Sequence, residues 1–177
     1  MPHADLSMFP PGQSKEQLYQ SLLENAQALL EDQRNWVANC ANVSSLVWHG
    51  LHSLPSPSDK VNWAGFYVRD RKKPEQLILG PFMGKIACQT IRLGKGVCGT
   101  AAATGESQLV PDVEAFPGHI ACDGETLSEI VVPVRSASGD IVGVLDLDCE
   151  ELKGFDEVDQ KFLEHLAELV GKGCDWE

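Results

Sequence analysis

The alternation of apolar and polar positions divides the chain into helical ends and a strand-rich middle. Leu18, Leu22, Ala26, Leu29 and Leu30 recur at the spacing of one helix face, behind a capping box formed by Ser14 and Gln17. A second helical stripe runs through Trp36, Cys40, Val43, Val47 and Leu51 and stops before the Pro55-Ser56-Pro57 break. From Asn62 the period becomes two. Residues 62–69 (NWAGFYVR) alternate as a strand, a turn covers 72–75, and 76–82 (QLILGPF) returns as the hairpin partner. Residues 85–93 (KIACQTIRL) predict a third strand. Gly94, Gly96 and Gly99 punctuate the next stretch, and 97–105 suits a short helix that Gly105 stops. A short strand at 108–111 and a long loop over 112–126 come next, followed by a hairpin of strands at 128–135 and 140–148. Asp156 then caps a final helix with Val158, Phe162, Leu166, Leu169 and Val170 on its apolar face.

This order predicts an α+β domain: about six strands in a mostly antiparallel sheet, with the N- and C-terminal helices grouped on one face. Residues 1–13 contain three prolines, a glycine and no periodicity, and are expected to be a flexible tail ahead of one domain over 14–177. A chain of 177 residues, 43% hydrophobic and 23% charged, has the composition of one ordinary globular domain. Its charge is less ordinary. Fourteen basic against 26 acidic residues give −12, which argues against nucleic acid or an anionic membrane surface as partner, since both need a basic face. No apolar run approaches the ~18–20 residues that cross a bilayer, and the N-terminus lacks the pattern of a signal peptide. Six cysteines without a secretory context point to thiols in a reducing, cytoplasmic compartment rather than to a disulfide framework.

Cysteine is often only a small buried hydrophobe. That reading suits Cys40 on a helix face, Cys149 at a strand end and Cys174 near the C-terminus. Cys88 and Cys98 lie in Gly-rich surroundings, and Cys122 sits in a polar loop beside Asp123, near Glu125 and Glu129. For these three, local sequence leaves functional and incidental roles equally open. His119 and Cys122 have an H-x-x-C spacing, but no C-x-x-C pair accompanies it, so no metal site is assigned. As an imidazolium neighbour His119 would activate the Cys122 thiol; an ordinary loop histidine fits as well. Asp146 and Asp148 alternate with Leu145 and Leu147, which puts both carboxylates on one strand face. That face is either a ligand pocket or a solvated outer surface. Trp63 and Tyr67 are either sheet-packing aromatics or the walls of an apolar slot.

The segments NWAGFY (62–67), LILGPFMGKIACQTI (77–91), GKGVCGTA (94–101), PGHIACDGETLSEIVVP (117–133), GVLDLDC (143–149) and GFDEVD (154–159) resemble those of the free methionine-(R)-sulfoxide reductases, a GAF-domain family. The likeness is greatest to the form found in unicellular eukaryotes. It implies a GAF fold, usually homodimeric, with a small closed pocket. It also implies reduction of free L-methionine (R)-sulfoxide to methionine, with thioredoxin as reductant and no cofactor. Residue by residue, Cys122 matches the nucleophile, Cys88 its resolving partner and Cys98 a third thiol of less settled role. Glu129, Asp146 and Asp148 match pocket carboxylates, and Trp63 and Tyr67 match pocket aromatics. Attack on a sulfoxide needs a thiolate and a proton donor for the oxygen; it leaves a sulfenic acid, which a second thiol condenses to a disulfide. Two other readings compete. A GAF sensor would bind a small molecule without catalysis, and a peroxide scavenger would use the same sulfenic chemistry on another oxidant.

Overall fold

The structure, a computed structural model, describes residues 8–118 and 124–176. Helices α1 (Lys15–Leu30) and α2 (Trp36–Leu51) come first, followed by strands β1 (Val61–Arg69), β2 (Gln76–Gly84) and β3 (Thr90–Arg92). Helix α3 (Gly96–Thr104), strands β4 (Gln108–Val110), β5 (Ser128–Arg135) and β6 (Ile141–Cys149), and helix α4 (Glu157–Gly173) complete the order. The six strands form one sheet in the order β3-β2-β1-β6-β5-β4, and every neighbouring pair is antiparallel. The first and last strands of the central trio are therefore far apart in sequence, and β6 lies between β1 and β5.

Period-two alternation assigns each face of this sheet its own partner. Ala64 and Phe66 of β1, Ile130, Val132 and Val134 of β5, and Leu145 and Leu147 of β6 all face α1, α2 and α4, and together they make the main core. Each fully buried Leu or Ile there contributes about 1.5–3 kcal/mol relative to exposure. The opposite face carries Trp63, Tyr67, Val131 and Val144, which pack with Val97, Ala101 and Ala102 of α3. The terminal helices thus share one face as expected, with α3 alone on the other.

Local signals account for the helix ends. Ser14 and Gln17 bond reciprocally as the capping box at α1. Asp156 and Asp159 do the same at α4. Lys15 bonds both of these acids, at 2.8 and 2.7 Å, and the Tyr19 hydroxyl donates to Asp159 at 2.8 Å, so the two terminal helices share one polar anchor. The buried face of α4 is centred on Leu163, Leu166, Ala167 and Val170. Val158, Phe162 and Leu169 from the predicted stripe flank it, half-buried.

The third strand is shorter than the sequence pattern predicts: pairing covers Thr90–Arg92, not 85–93. The chain leaves the ladder at Gly84, whose φ of 128° suits glycine, and a Cβ there would lie 2.7 Å from the Asn62 carbonyl oxygen. Residues 85–89 become a loop that stands over the sheet, and the apolar positions that mimic a strand line a cavity instead.

Gly84→Ala should therefore cost about 2 kcal/mol, or roughly 4–8 °C of melting temperature for a domain of this size. Thermal unfolding followed by circular dichroism checks it, and an unchanged melting temperature would show that the loop does not depend on this turn.

Candidate active site

Register across the central strands builds the site. Trp63 of β1 sits opposite Asp148 of β6, and Asp148 opposite Glu129 of β5. One step along, Gly65 faces Asp146, and Asp146 faces Val131. Both rows lie on the face that carries α3. Gly65 is needed here because a Cβ would come within 2.3 Å of Phe82 Cβ and 2.8 Å of the Trp63 ring. The missing side chain lets the indole lie across the sheet, stacked at 5.1 Å on Phe82 and 5.6 Å on Tyr67.

Above these rows is a cavity of about 320 Å³. Its floor is Trp63, Tyr67, Glu129, Asp146 and Asp148; one wall is the 85–88 loop and another is the first turn of α3, from Lys95 to Cys98. The Tyr67 hydroxyl donates to the Cys88 carbonyl at 3.1 Å and so ties the loop to the floor. Lys85 of the loop pairs with Glu125. Thr126 also lines the cavity, where Asn62 Nδ2 donates to its hydroxyl at 3.3 Å.

The structure brings seven of the eight sequence-predicted site residues to this one cavity: Cys88, Cys98, Glu129, Trp63, Tyr67, Asp146 and Asp148. Cys122 lies outside the described residues, as does His119. Cys40, Cys149 and Cys174 are buried in the main core on the far side of the sheet, consistent with their reading as small hydrophobes. Sequence pattern does not single out Thr126, Phe82 or, apart from Cys98, the first turn of α3 as a cavity wall. For α3 the signal is the run of glycines at 94, 96 and 99, which lets the helix start close to the sheet.

Electrostatically the floor is unusual. Glu129 and Asp146 are buried, 7% and 5% exposed, and Asp148 is half-buried. Burial first, then the negative charges of Asp146 and Asp148, hold the Glu129 carboxyl well above the usual range. Burial likewise raises Asp146, to about 7, although hydrogen bonds from Cys98 and Glu129 pull the other way. Cys98, on α3, has its Sγ 4.0 Å from Glu129 Oε1. Its thiol is also pushed up, by burial and then by the neighbouring Asp146 and Glu129 charges. The arrangement therefore keeps a proton on Glu129 at neutral pH, beside an Asp146 that titrates near neutrality and a thiol that keeps its own proton. Cys88 is half-buried at the cavity wall.

Sheet order and the placement of the helices define the class, and residues 40–173 match the GAF domain family. A solved structure described as that of the GAF domain superposes with a TM-score of 0.94 at 52% identity, covering 99% of this chain and 97% of the other. The free methionine-R-sulfoxide reductase of Saccharomyces cerevisiae is 54% identical over 172 residues, 97% of this chain and 94% of its own. The Neisseria meningitidis free methionine-R-sulfoxide reductase, solved in complex with its substrate, aligns with a TM-score of 0.84 at 38% identity, over 94% of this chain and 93% of the other. This chain belongs to the free methionine-R-sulfoxide reductase family of GAF-domain proteins.

The shifted acids make stability depend on pH. The folded protein holds protons on Glu129 and Asp146 at pH values where the unfolded chain has released them. The pair's contribution to stability therefore falls as pH rises from about 4, the ordinary carboxylate range, towards neutrality. Asp146→Asn removes one such group and should raise the melting temperature above neutral pH while changing it little in acid. Melting curves across that range test the assignment; a parallel shift at all pH values would mean that Asp146 is ionised in the fold.

Proposed function

We propose that this protein reduces free L-methionine (R)-sulfoxide to L-methionine, with the closed acid-and-thiol cavity as its active site. The observation that carries the reading is the buried pair Glu129 and Asp146, placed beside thiols on a floor of aromatic rings, where burial holds both carboxyls above the usual range. The activities named for the yeast and Neisseria relatives support it.

In this mechanism the Cys122 thiolate attacks the sulfoxide sulfur while Glu129 donates a proton to the oxygen, which is a poor leaving group without one. The protonated oxygen passes as hydroxyl from the methionine sulfur to the Cys122 sulfur as the new sulfur–sulfur bond breaks, so methionine departs and Cys122 is left as a sulfenic acid. The Cys88 thiol condenses with it, forming the Cys88–Cys122 disulfide and releasing water. A thioredoxin dithiol then reduces that disulfide by exchange and is itself oxidised. Cys98, with its firmly held proton, acts as a relay thiol rather than the first attacker. Trp63 and Tyr67 receive the methyl and methylene groups, and Asp148 holds the substrate ammonium. The N–H groups in the first turn of α3, which has no side-chain cap among the described residues, suit the substrate carboxylate, with Lys95 and Arg92 at the rim. A cavity that binds both charged ends of an amino acid excludes methionine within a peptide. We place the enzyme in the cytoplasm as a homodimer, with a domain spanning 14–177 and no cofactor.

Turnover with a thioredoxin system, followed by NADPH loss, should occur with the free R epimer only. Comparable rates on the S epimer or on an N-acylated sulfoxide would overturn the reading. Without reductant, Cys122→Ser should yield no methionine; with the thioredoxin system present, Cys88→Ser should complete one turnover and then stall.

Glu129→Gln keeps the shape and cannot transfer a proton, so single-turnover rates should fall by about 10²–10⁴. The melting temperature should not fall with them. An unchanged rate with a lowered melting point would assign Glu129 to structure and leave Asp148 as the acid.

A further inference from the structure

We propose that Cys98, Glu129 and Asp146 form a binding site for a single divalent cation of the zinc type, opening into the cavity. One ligand atom from each, a sulfur and two carboxylate oxygens, lies within 4.8 Å of the other two. Zinc binds sulfur at about 2.3 Å and carboxylate oxygen at about 2.0–2.2 Å, so tetrahedral ligands stand about 3.5 Å apart. From the 4.0 Å that separates Cys98 Sγ and Glu129 Oε1, side-chain adjustment alone would close the gap. The three residues come from three different elements, α3, β5 and β6, so the packed sheet holds the set in place.

A second observation points to a ligand. Asp146 is 5% exposed and lines the cavity; Cys98 and Glu129 hydrogen-bond its carboxyl, yet its Oδ1 has no hydrogen-bond partner among the described residues. A buried acceptor without a partner is costly, and a cation would satisfy it. The donor set also selects the ion. One thiolate with two carboxylates suits zinc or cobalt, whereas magnesium and calcium take six or more oxygens. Three protein ligands leave the fourth position open to the cavity, as in zinc sites that exchange their fourth ligand. Binding would release to solvent the Cys98 proton and whatever protons Glu129 and Asp146 hold. It would also occupy the carboxyl oxygens that the reductase chemistry uses. Competition between metal and sulfoxide therefore follows, and this part alone rests on the proposed activity.

Cobalt(II) added to the reduced full-length chain is the probe, because thiolate ligation gives a near-ultraviolet charge-transfer band. We expect one cobalt per chain, displaced by zinc, with the band retained in Cys122→Ser and Cys88→Ser and lost in Cys98→Ser. Asp146→Asn and Glu129→Gln keep the thiol and should each weaken affinity by at least about tenfold. Absence of the band in the unaltered protein would overturn the site. So would its survival in Cys98→Ser, its loss in Cys122→Ser, or unchanged affinity in both carboxyl variants. Free methionine (R)-sulfoxide in excess should bleach the band; a band indifferent to it refutes competition. Cobalt binding without sulfoxide turnover would refute the proposed activity alone, and turnover without cobalt binding would refute the metal site alone.

Discussion

The register of β6 between β1 and β5 is the constraint on which both halves of the molecule depend. On one side of that strand Leu145 and Leu147 are completely buried against the helices. On the other, Asp146 and Asp148 face the cavity. A slip of one residue would exchange these sets, driving two carboxylates into the main core and two leucines into the site. The large apolar contribution of the core therefore fixes the position of the acids, although it never touches them. The same holds in β5, where Ile130 in the core positions Glu129 and Val131 on the opposite face.

That coupling lets the fold tolerate an unfavourable cluster. Elsewhere the protein neutralises a buried acid conventionally: Asp159, 1% exposed, has the Lys15 ammonium at 2.7 Å and the Tyr19 hydroxyl at 2.8 Å. At Glu129 the charges that shift it are those of other acids. Acids crowded into a low-dielectric site keep their protons, or recruit a positive charge from outside. The proposed proton donation and the proposed cation site are two consequences of that one electrostatic imbalance.

The division of labour between rigid and adjustable parts follows from the same architecture. The acids and aromatics stand on central strands, and the Cys98 thiol on a helix packed against them, so their mutual geometry is set by the core. Cys88 belongs instead to the 85–89 loop, held by the Tyr67 hydroxyl and the carbonyl of Gln89, which accepts from the Leu79 amide at 3.0 Å. A thiol that must meet both a partner thiol and an external reductant is better served by a loop than by a strand.

Much of this was legible in the sequence, because it depends on local periodicity. Both N-terminal helices, the two hairpins, the Ser14–Gln17 capping box, the Asp156 cap and the shared face of Asp146 and Asp148 all follow from spacing along the chain. The residues KIACQTIRL show where spacing misleads. Their composition reads as a strand, but the positive-φ turn at Gly84 and the close approach to Asn62 take 85–89 out of the sheet, which a window on local composition does not register. Whether the Asp146 face met solvent or ligand was likewise undecided in one dimension. It depends on α3 and the 85–88 loop closing over that face. What the sequence alone determined was the set of elements and which side chains share a face. Tertiary structure decided which face is enclosed and which acids lose their water, since burial comes from residues far away along the chain.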